Sequence, residues 1–208
     1  MKLRLKVCGM RDPANILEVA SLNPHYMGFI YYSQSPRFVS NNFQVPEISS
    51  SIKRVGVFVD HPIDFILAEV NMNKLDAVQL HGDESPELCA QIKSKGIQVI
   101  KTFSVDQDFN FSITGNYHGI VDFFLFDTKG NNYGGTGRKF DWARLDEYTL
   151  STPFFLSGGL SQENILQIAT IKNPVLFGLD LNSGVEESPG IKSKSRIEKV
   201  IQLLNEIN

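Results

Sequence analysis

Short apolar runs alternate along the chain with segments in which apolar residues recur every three or four positions. The runs are typical of buried strands, and the recurring positions are typical of helices with one apolar face. In the first run, side chains alternate between two faces, so Arg4, Lys6 and Cys8 share one face. Eight runs are predicted to be strands, at 3–8, 27–31, 54–59, 76–80, 97–102, 123–126, 153–156 and 175–179.

Helices are predicted between most of these strands. Asp12 followed by Pro13, and Ser85 followed by Pro86, are the residue types expected at a helix cap and first turn. Between 103 and 119 the pattern is weak and predicts only a short helix. Apolar residues at helical spacing predict further helices at 63–70, at 141–148, after Ser161 and at 197–204.

Strands that alternate with helices indicate a parallel sheet. The chain of 208 residues holds eight such units and has no connection long enough to reverse the strand order. This favours a closed (β/α)8 barrel, the TIM barrel, over an open doubly wound sheet. The predicted fold class is therefore α/β, with residues 1–208 forming a single barrel domain.

The composition is that of an ordinary globular protein, with 42% hydrophobic and 21% charged residues. A net charge of −3 offers no basic surface for nucleic acid or anionic lipid. No apolar run reaches the roughly 18 residues of a membrane helix, and the first residues alternate charged and apolar side chains, unlike a signal peptide. The protein is predicted to be cytoplasmic, with neither nucleic acid nor membrane as a partner. Its scattered cysteines and histidines support neither a disulfide nor a metal site.

Functional residues of such barrels lie at the carboxyl ends of the strands. Taken alone, each candidate there has an ordinary explanation, since a strand-end Asp is usually a turn or cap residue and a strand-end Cys is usually a small hydrophobe. Their convergence on one edge of the barrel favours a functional site. The candidates are Cys8, Arg37, His81, Asp127, Gly158, Gly159, Asp180, Ser183 and Gly184.

Glycine-rich turns follow the seventh and eighth strands. Gly158 and Gly159 form one turn, and the segment 182–184 forms the other. Paired glycines alone are more often a turn device than a binding site. After these two strands, however, exposed backbone N–H groups are in the usual phosphate position of an eightfold barrel. A small phosphorylated molecule is therefore the predicted substrate.

Cys8 and Asp127 are candidates for acid and base chemistry. Lys6 is expected to lower the pKa of the Cys8 thiol from about 8.5 toward working pH, so that the thiolate can act as a base or a nucleophile. Burial is expected to raise the pKa of Asp127 from about 3.9, so that it can act as an acid. A base and an acid on opposite sides of the barrel suit isomerisation by proton transfer. Arg37, on a loop, is suited to hold a carboxylate.

Six motifs cover nearly the whole chain in order. They read KVCG (6–9), SPRFVS (35–40), VQLHGDE (78–84), Asp127 with GGTGRKFDW (134–142), SGGL (157–160), and DLNSGVE (180–186) with PGIK (189–192). Together they closely resemble the phosphoribosylanthranilate isomerase family of the tryptophan pathway. The pattern departs from that family at Ser193, where an acidic residue is expected.

The resemblance implies that Cys8 is the general base, Asp127 the general acid, and Arg37 the residue that holds the anthranilate carboxylate. It implies that the two glycine turns bind the phosphate. The implied reaction is an Amadori rearrangement of N-(5-phosphoribosyl)anthranilate to 1-(2-carboxyphenylamino)-1-deoxyribulose 5-phosphate. No metal or organic cofactor is implied, because the imine of the substrate takes up the electrons. A monomer or a homodimer is expected.

Three alternatives remain open at this point. The related histidine-pathway isomerase runs the same rearrangement, but it resembles two fused half-barrels, uses an Asp as base and takes a substrate with two phosphates. A Schiff-base aldolase would use Lys101 at the end of the fifth strand. A phosphosugar-binding subunit without catalysis would need neither the strand-end Cys nor the strand-end Asp.

Overall fold

The computed structural model of the protein describes residues 3–128 and 142–207. Each strand of the main sheet is paired in parallel with the next, and the eighth pairs with the first, so the sheet is a single closed barrel. This confirms the predicted (β/α)8 fold class. The strands are β1 (Arg4–Val7), β2 (Tyr26–Ile30), β3 (Lys53–Phe58), β4 (Ala77–Leu80), β5 (Gln98–Val105), β6 (Phe123–Thr128), β7 (Phe154–Ser157) and β8 (Leu176–Leu181).

Four α-helices lie in the described part of the chain. Two begin at the predicted caps, where the Asp12 side chain accepts from the Asn15 N–H at 2.9 Å and the Ser85 side chain accepts from the Leu88 N–H at 3.4 Å. Ser193 directly precedes the last helix, and its carbonyl accepts from the Ile197 N–H at 3.1 Å. The helices are α1 (Pro13–Ala20), α2 (Ile63–Asn73), α3 (Pro86–Lys93) and α4 (Lys194–Ile207). None of the described helices is long and apolar enough to cross a membrane.

The connections after β5, β6 and β7 contain 3-10 helices where the sequence predicted helices without specifying their type. They span Phe111–Tyr117, Trp142–Glu147 and Ile165–Thr170. A 3-10 helix rises about 2.0 Å per residue and an α-helix about 1.5 Å, so six residues cover a longer path in the tighter form. The start of the predicted 141–148 helix lies outside the described residues.

A two-stranded hairpin follows β8, and it was not predicted from the sequence. Its strands are β9 (Glu186–Ser188) and β10 (Ile191–Lys192), and Lys192 pairs with Glu186 across them. Gly190 has φ +86°, a backbone conformation that glycine adopts without steric cost. The hairpin thereby brings a carboxylate and an ammonium group together at the end of the barrel.

Two apolar layers form the core. The larger layer lies between the strands and the surrounding helices. The smaller one fills the barrel interior and includes Tyr26, Val55, Ile100, Leu125 and Phe155. Alternation along β6 puts Asp127 on the same face as Leu125. The carboxylate therefore continues the interior row of side chains to the carboxyl end of the barrel, here called the mouth.

Candidate active site

On the β1 side of the mouth, a buried ion pair links β1 to β8. The Lys6 ammonium donates to Asp180 Oδ1 at 3.0 Å, and both side chains are almost fully buried. Burial lowers the pKa of Lys6, but Asp180 and Cys8 together raise this pKa above its ordinary value. Lys6 is therefore held as a cation beside the thiol. Asp180 was predicted at the mouth, but its pairing with Lys6 was not predicted.

The Cys8 thiol lies next to this pair and is 3% exposed. The absence of a side chain at Gly28 makes room for it, since a Cβ there would be 2.7 Å from Cys8 Sγ and 3.2 Å from the Lys6 ammonium. Burial raises the pKa of Cys8, and Lys6 only partly offsets this. The expectation that Lys6 would lower this pKa below its ordinary value is therefore wrong. The desolvation of the thiolate outweighs the attraction of one ammonium group that is already paired with Asp180.

The β6 side of the mouth carries Asp127, whose side chain is 35% exposed. Its Oδ2 lies 3.6 Å from His81 Nε2, and the other ring nitrogen of His81 lies 3.1 Å from the Gln79 amide nitrogen. His81 and Asp127 were both predicted at this edge of the barrel, and the structure brings their side chains together. Gln79 was missed, although it lies two residues before His81 on the same face of the fourth strand, which is the signal that could have found it.

Arg37 is held by a carboxylate from the hairpin. Its Nε donates to Glu186 Oε1 at 2.8 Å, and its terminal nitrogen donates to Glu186 Oε2 at 2.6 Å. The loop carrying Arg37 is itself fixed, because the Ser35 hydroxyl accepts from the Arg37 N–H at 3.1 Å and Arg11 donates to the Pro36 carbonyl at 2.9 Å. Glu186 belongs to the DLNSGVE motif, but no pattern in the sequence predicted that it would meet Arg37.

The two glycine turns touch each other. Gly158 and Gly159 have φ +107° and +65°, so both have the left-handed backbone that favours glycine. Gly184 packs against the Leu160 carbonyl so closely that a Cβ would overlap it. Ser183 is exposed and begins a 3-10 helix, Ser183–Val185. The turns predicted for phosphate are thus brought together at one side of the mouth.

Lys101 is occupied by structural contacts. Its ammonium donates to Glu84 Oε2 at 3.1 Å and to the Gly82 carbonyl at 2.6 Å. Glu84 in turn accepts from the Asp60 N–H at 3.0 Å. An aldolase lysine must reach its substrate as a free amine, and this arrangement instead ties a charged lysine to the loop after β4. The geometry therefore disfavours the aldolase alternative.

A cavity of about 620 Å³ opens beside His81 at the mouth. Thr102 lines it, and the Thr102 hydroxyl is buried without a hydrogen-bond partner in the structure. Aromatic rings of Phe103 and Tyr117 form part of its wall. The cavity offers room for a small molecule beside the His81 ring.

The fold and the mouth define a (β/α)8-barrel enzyme with a thiol, a carboxyl group, a fixed guanidinium and two glycine turns. Comparison with known proteins gives the family. The sequence pattern of N-(5'-phosphoribosyl)anthranilate isomerase matches residues 5–203. The chain belongs to this family, whose members are aldose–ketose isomerases of tryptophan biosynthesis.

Relatives and solved structures agree with this assignment along the whole chain. An N-(5'-phosphoribosyl)anthranilate isomerase from Parabacteroides distasonis is 44% identical over 202 residues, which are 95% of this chain and 91% of that protein. The crystal structure of the Thermotoga maritima isomerase is similar with a TM-score of 0.82 at 32% identity, covering 98% of this chain and 99% of that one. A phosphoribosylanthranilate isomerase in complex with reduced 1-(o-carboxyphenylamino)-1-deoxyribulose 5-phosphate has a TM-score of 0.81 at 30% identity, with 98% and 99% covered.

Proposed function

We propose that this protein catalyses the Amadori rearrangement of N-(5-phosphoribosyl)anthranilate to 1-(2-carboxyphenylamino)-1-deoxyribulose 5-phosphate, with Asp127 as general acid and Cys8 as general base. The observation that carries the proposal is that these two groups end β6 and β1 and face one mouth, in a chain of this family. Acid and base on separate strands can act on two different atoms of one bound sugar.

In the first step, Asp127 gives its proton to the ring oxygen of the ribose. The bond between that oxygen and C1 breaks, and the lone pair of the anthranilate nitrogen forms the C1=N bond of a cationic Schiff base. The 35% exposure of Asp127 leaves the carboxyl open to the substrate. His81, 3.6 Å away, is positioned to hydrogen-bond the carboxylate left behind.

In the second step, Cys8 removes the proton from C2, and the electron pair of that C–H bond moves into the cationic C1=N group. The resulting enolamine gives the ketone when the C2 hydroxyl loses its proton and C1 gains one. The raised pKa of Cys8 makes its thiolate a stronger base, while Lys6 and the cationic Schiff base both favour the thiolate form. Asp180 contributes by keeping Lys6 charged, at 3.0 Å.

The remaining residues bind the two ends of the substrate. Arg37 holds the anthranilate carboxylate, and the turns containing Gly158, Gly159, Ser183 and Gly184 hold the phosphate with backbone N–H groups. Left-handed glycines and the contact between the two turns support this assignment. The relative crystallised with a reduced product is consistent with a ligand that carries both a carboxylate and a phosphate.

The test is turnover of N-(5-phosphoribosyl)anthranilate by the purified protein, followed through the loss of substrate fluorescence. We expect full activity in the presence of a chelator. Activity that needs an added metal would overturn the proposed chemistry, and so would turnover of a two-phosphate histidine-pathway substrate alone.

We further propose that the chain works as one barrel domain, as a monomer or a homodimer in the cytoplasm. One similar structure, at 31% identity, is of monomers generated from a dimeric phosphoribosylanthranilate isomerase of Thermotoga maritima. Analytical ultracentrifugation at micromolar concentration decides between the two states. A stable tetramer would contradict the proposal.

A further inference from the structure

Glu186 lies between two cations at the mouth and is itself buried. One edge of its carboxylate receives the two donors of Arg37, at 2.8 and 2.6 Å. Its Oε1 also accepts from the Lys192 ammonium at 2.6 Å and from the Gly190 N–H at 3.0 Å. Burial raises the pKa of Glu186, but the hydrogen bonds from Arg37 and Lys192 outweigh it and bring the pKa to about 2. The carboxylate is therefore charged throughout the working pH range.

This network lies directly beside the thiol. The residue after Cys8 is Gly9, and a Cβ at Gly9 would be 2.7 Å from Arg37 Cδ, 2.7 Å from Asn182 Oδ1 and 3.3 Å from the Lys192 ammonium. Asn182 Oδ1 accepts from Lys192 at 2.7 Å, which fixes that ammonium in turn. Arg37 thus lies over the backbone next to the proposed base, in an orientation that its two hydrogen bonds to Glu186 determine.

The geometry leaves a defined part of the guanidinium available. Glu186 takes the Nε and one terminal nitrogen of Arg37, so the other terminal nitrogen remains on the far edge. One carboxylate between two cations leaves the network with a net charge of +1, from Arg37, Lys192 and Glu186. That is the charge that pairs with a single carboxylate of a ligand.

We propose that Glu186 is a positioning residue for carboxylate recognition, which orients Arg37 so that its remaining edge faces the carboxylate of the substrate. This inference rests on the proposed role of Arg37. Without Glu186, the guanidinium keeps its charge but can take several rotamers, and the order it must gain on binding weakens the complex. Lys192 holds Glu186 in place across the hairpin, and Asn182 in turn fixes the Lys192 ammonium.

The test compares Glu186→Gln with Glu187→Gln, which changes the next residue of the same strand, an exposed side chain. Each variant is titrated with the reduced product, which carries the carboxylate, and with the same compound lacking the carboxylate. We expect Glu186→Gln to weaken binding of the carboxylate compound by about tenfold to hundredfold, and binding of the other compound by less than about twofold. Glu187→Gln should change neither.

A second arm repeats the substitution in an Arg37→Ala background. There Glu186→Gln should have less than about a twofold effect, because the group it orients is gone. Additive effects of the two substitutions, or equal weakening of both compounds, overturn the proposal. Should Glu186→Gln not fold, Glu186→Asp keeps the charge but shortens the side chain. If Glu186 positions Arg37, Glu186→Asp should weaken binding of the carboxylate compound. If only the charge of Glu186 matters, Glu186→Asp should leave this binding unchanged.

Turnover separates this inference from the proposed function. In Glu186→Gln, KM should rise in parallel with the loss of binding, while kcat stays within about threefold, because the reacting atoms are not touched. A wild-type protein that binds the reduced product but does not turn over its substrate would refute the proposed isomerisation. The binding comparison would still decide the role of Glu186.

Discussion

At the scale of single residues, the Cys8 thiol and the Asp127 carboxyl differ most in their access to solvent. Cys8 is 3% exposed, whereas the Asp127 side chain is 35% exposed. A buried thiol beside an ammonium suits removal of a carbon-bound proton in a dry environment, and an open carboxyl suits protonation of a ring oxygen as the sugar arrives. The second cysteine, Cys89, lies on the buried face of α3, where burial raises its pKa to about 11. Cys89 is therefore expected to contribute to packing of the core and not to catalysis.

The first prediction concerns Asp127→Asn, which keeps the size of the side chain but cannot deliver a proton. Turnover should fall by about 10² to 10⁴, the usual contribution of a general acid, while binding of the reduced product changes little. Steady-state kinetics and titration measure the two effects. Asp64→Asn, at an exposed position in the first turn of α2, is the matched control and should retain activity. Near-normal turnover of Asp127→Asn would contradict the role of Asp127 as general acid and would indicate that it is only a turn residue.

At the scale of elements, the mouth is built from contacts between loops that follow different strands. The turn after β8 packs on the turn after β7, and the hairpin of β9 and β10 reaches the loop after β2. These contacts hold polar groups in place without the regular hydrogen bonds of the barrel. Substitutions in them should therefore affect ligand binding and local stability together.

The second prediction tests the contact between the glycine turns. Gly184→Ala places a methyl group against the Leu160 carbonyl, so the backbone must shift at a cost of about 1 to 3 kcal/mol. Binding of inorganic phosphate should weaken in parallel. Gly115→Ala is the control, because a Cβ there meets nothing within 4 Å. Urea unfolding measures the loss of stability, and phosphate titration measures the loss of binding. If Gly184→Ala and Gly115→Ala had the same stability and the same affinity for phosphate, close contact between the two turns would not be needed.

The third prediction follows from the lowered pKa of Glu186. Since this pKa is about 2 in the folded protein and 4.5 ordinarily, the ionised carboxylate contributes stability that is present above the ordinary value. That contribution is lost as the pH falls toward 2, because the unfolded chain binds the proton first. The difference in unfolding free energy between wild type and Glu186→Gln should therefore shrink between about pH 6 and about pH 3. Glu187→Gln should show no such trend, and a difference that is independent of pH would contradict the network.

At the scale of the whole molecule, closure of the barrel depends on β8 meeting β1. The register places Lys6 opposite Asp180, and their ion pair crosses the interior where the other strands supply apolar side chains. A buried ion pair contributes little to stability compared with packed apolar groups, but breaking it leaves an uncompensated charge. The same ion pair therefore affects both the stability of the closed barrel, where β8 meets β1, and the charge beside the Cys8 thiol.

The fourth prediction uses this coupling. Lys6→Met should lower the free energy of unfolding by about 3 to 5 kcal/mol, because Asp180 is left buried and unpaired. The double variant Lys6→Met/Asp180→Asn removes both charges and should be more stable than Lys6→Met alone. Both variants should lose turnover, since Cys8 loses its neighbouring cation. Unfolding in urea measures the stabilities, and a double variant no more stable than Lys6→Met would show that the two side chains act independently.

The sequence by itself determined the barrel, its eight strands, and the presence of Cys8, His81, Asp127 and Asp180 at strand ends. Apolar runs of strand length and amphipathic segments are local patterns, and parallel strands must end at one edge, so His81 and Asp127 were both expected at the mouth. The six motifs could indicate the family because each motif is a local pattern and the motifs follow one another along the chain. Whether the connections after β5, β6 and β7 form α-helices or 3-10 helices could not be predicted from the sequence, because it depends on the path that the chain must cover.

Only the tertiary structure decided how these groups act on one another. Glu186 lies 149 positions from Arg37 in the sequence, and Asp180 lies 174 from Lys6, so no local pattern could pair them. The direction of the Cys8 pKa shift was also beyond the sequence. It is set by complete burial of the thiol against one paired ammonium, and burial depends on the atoms that every strand contributes around it.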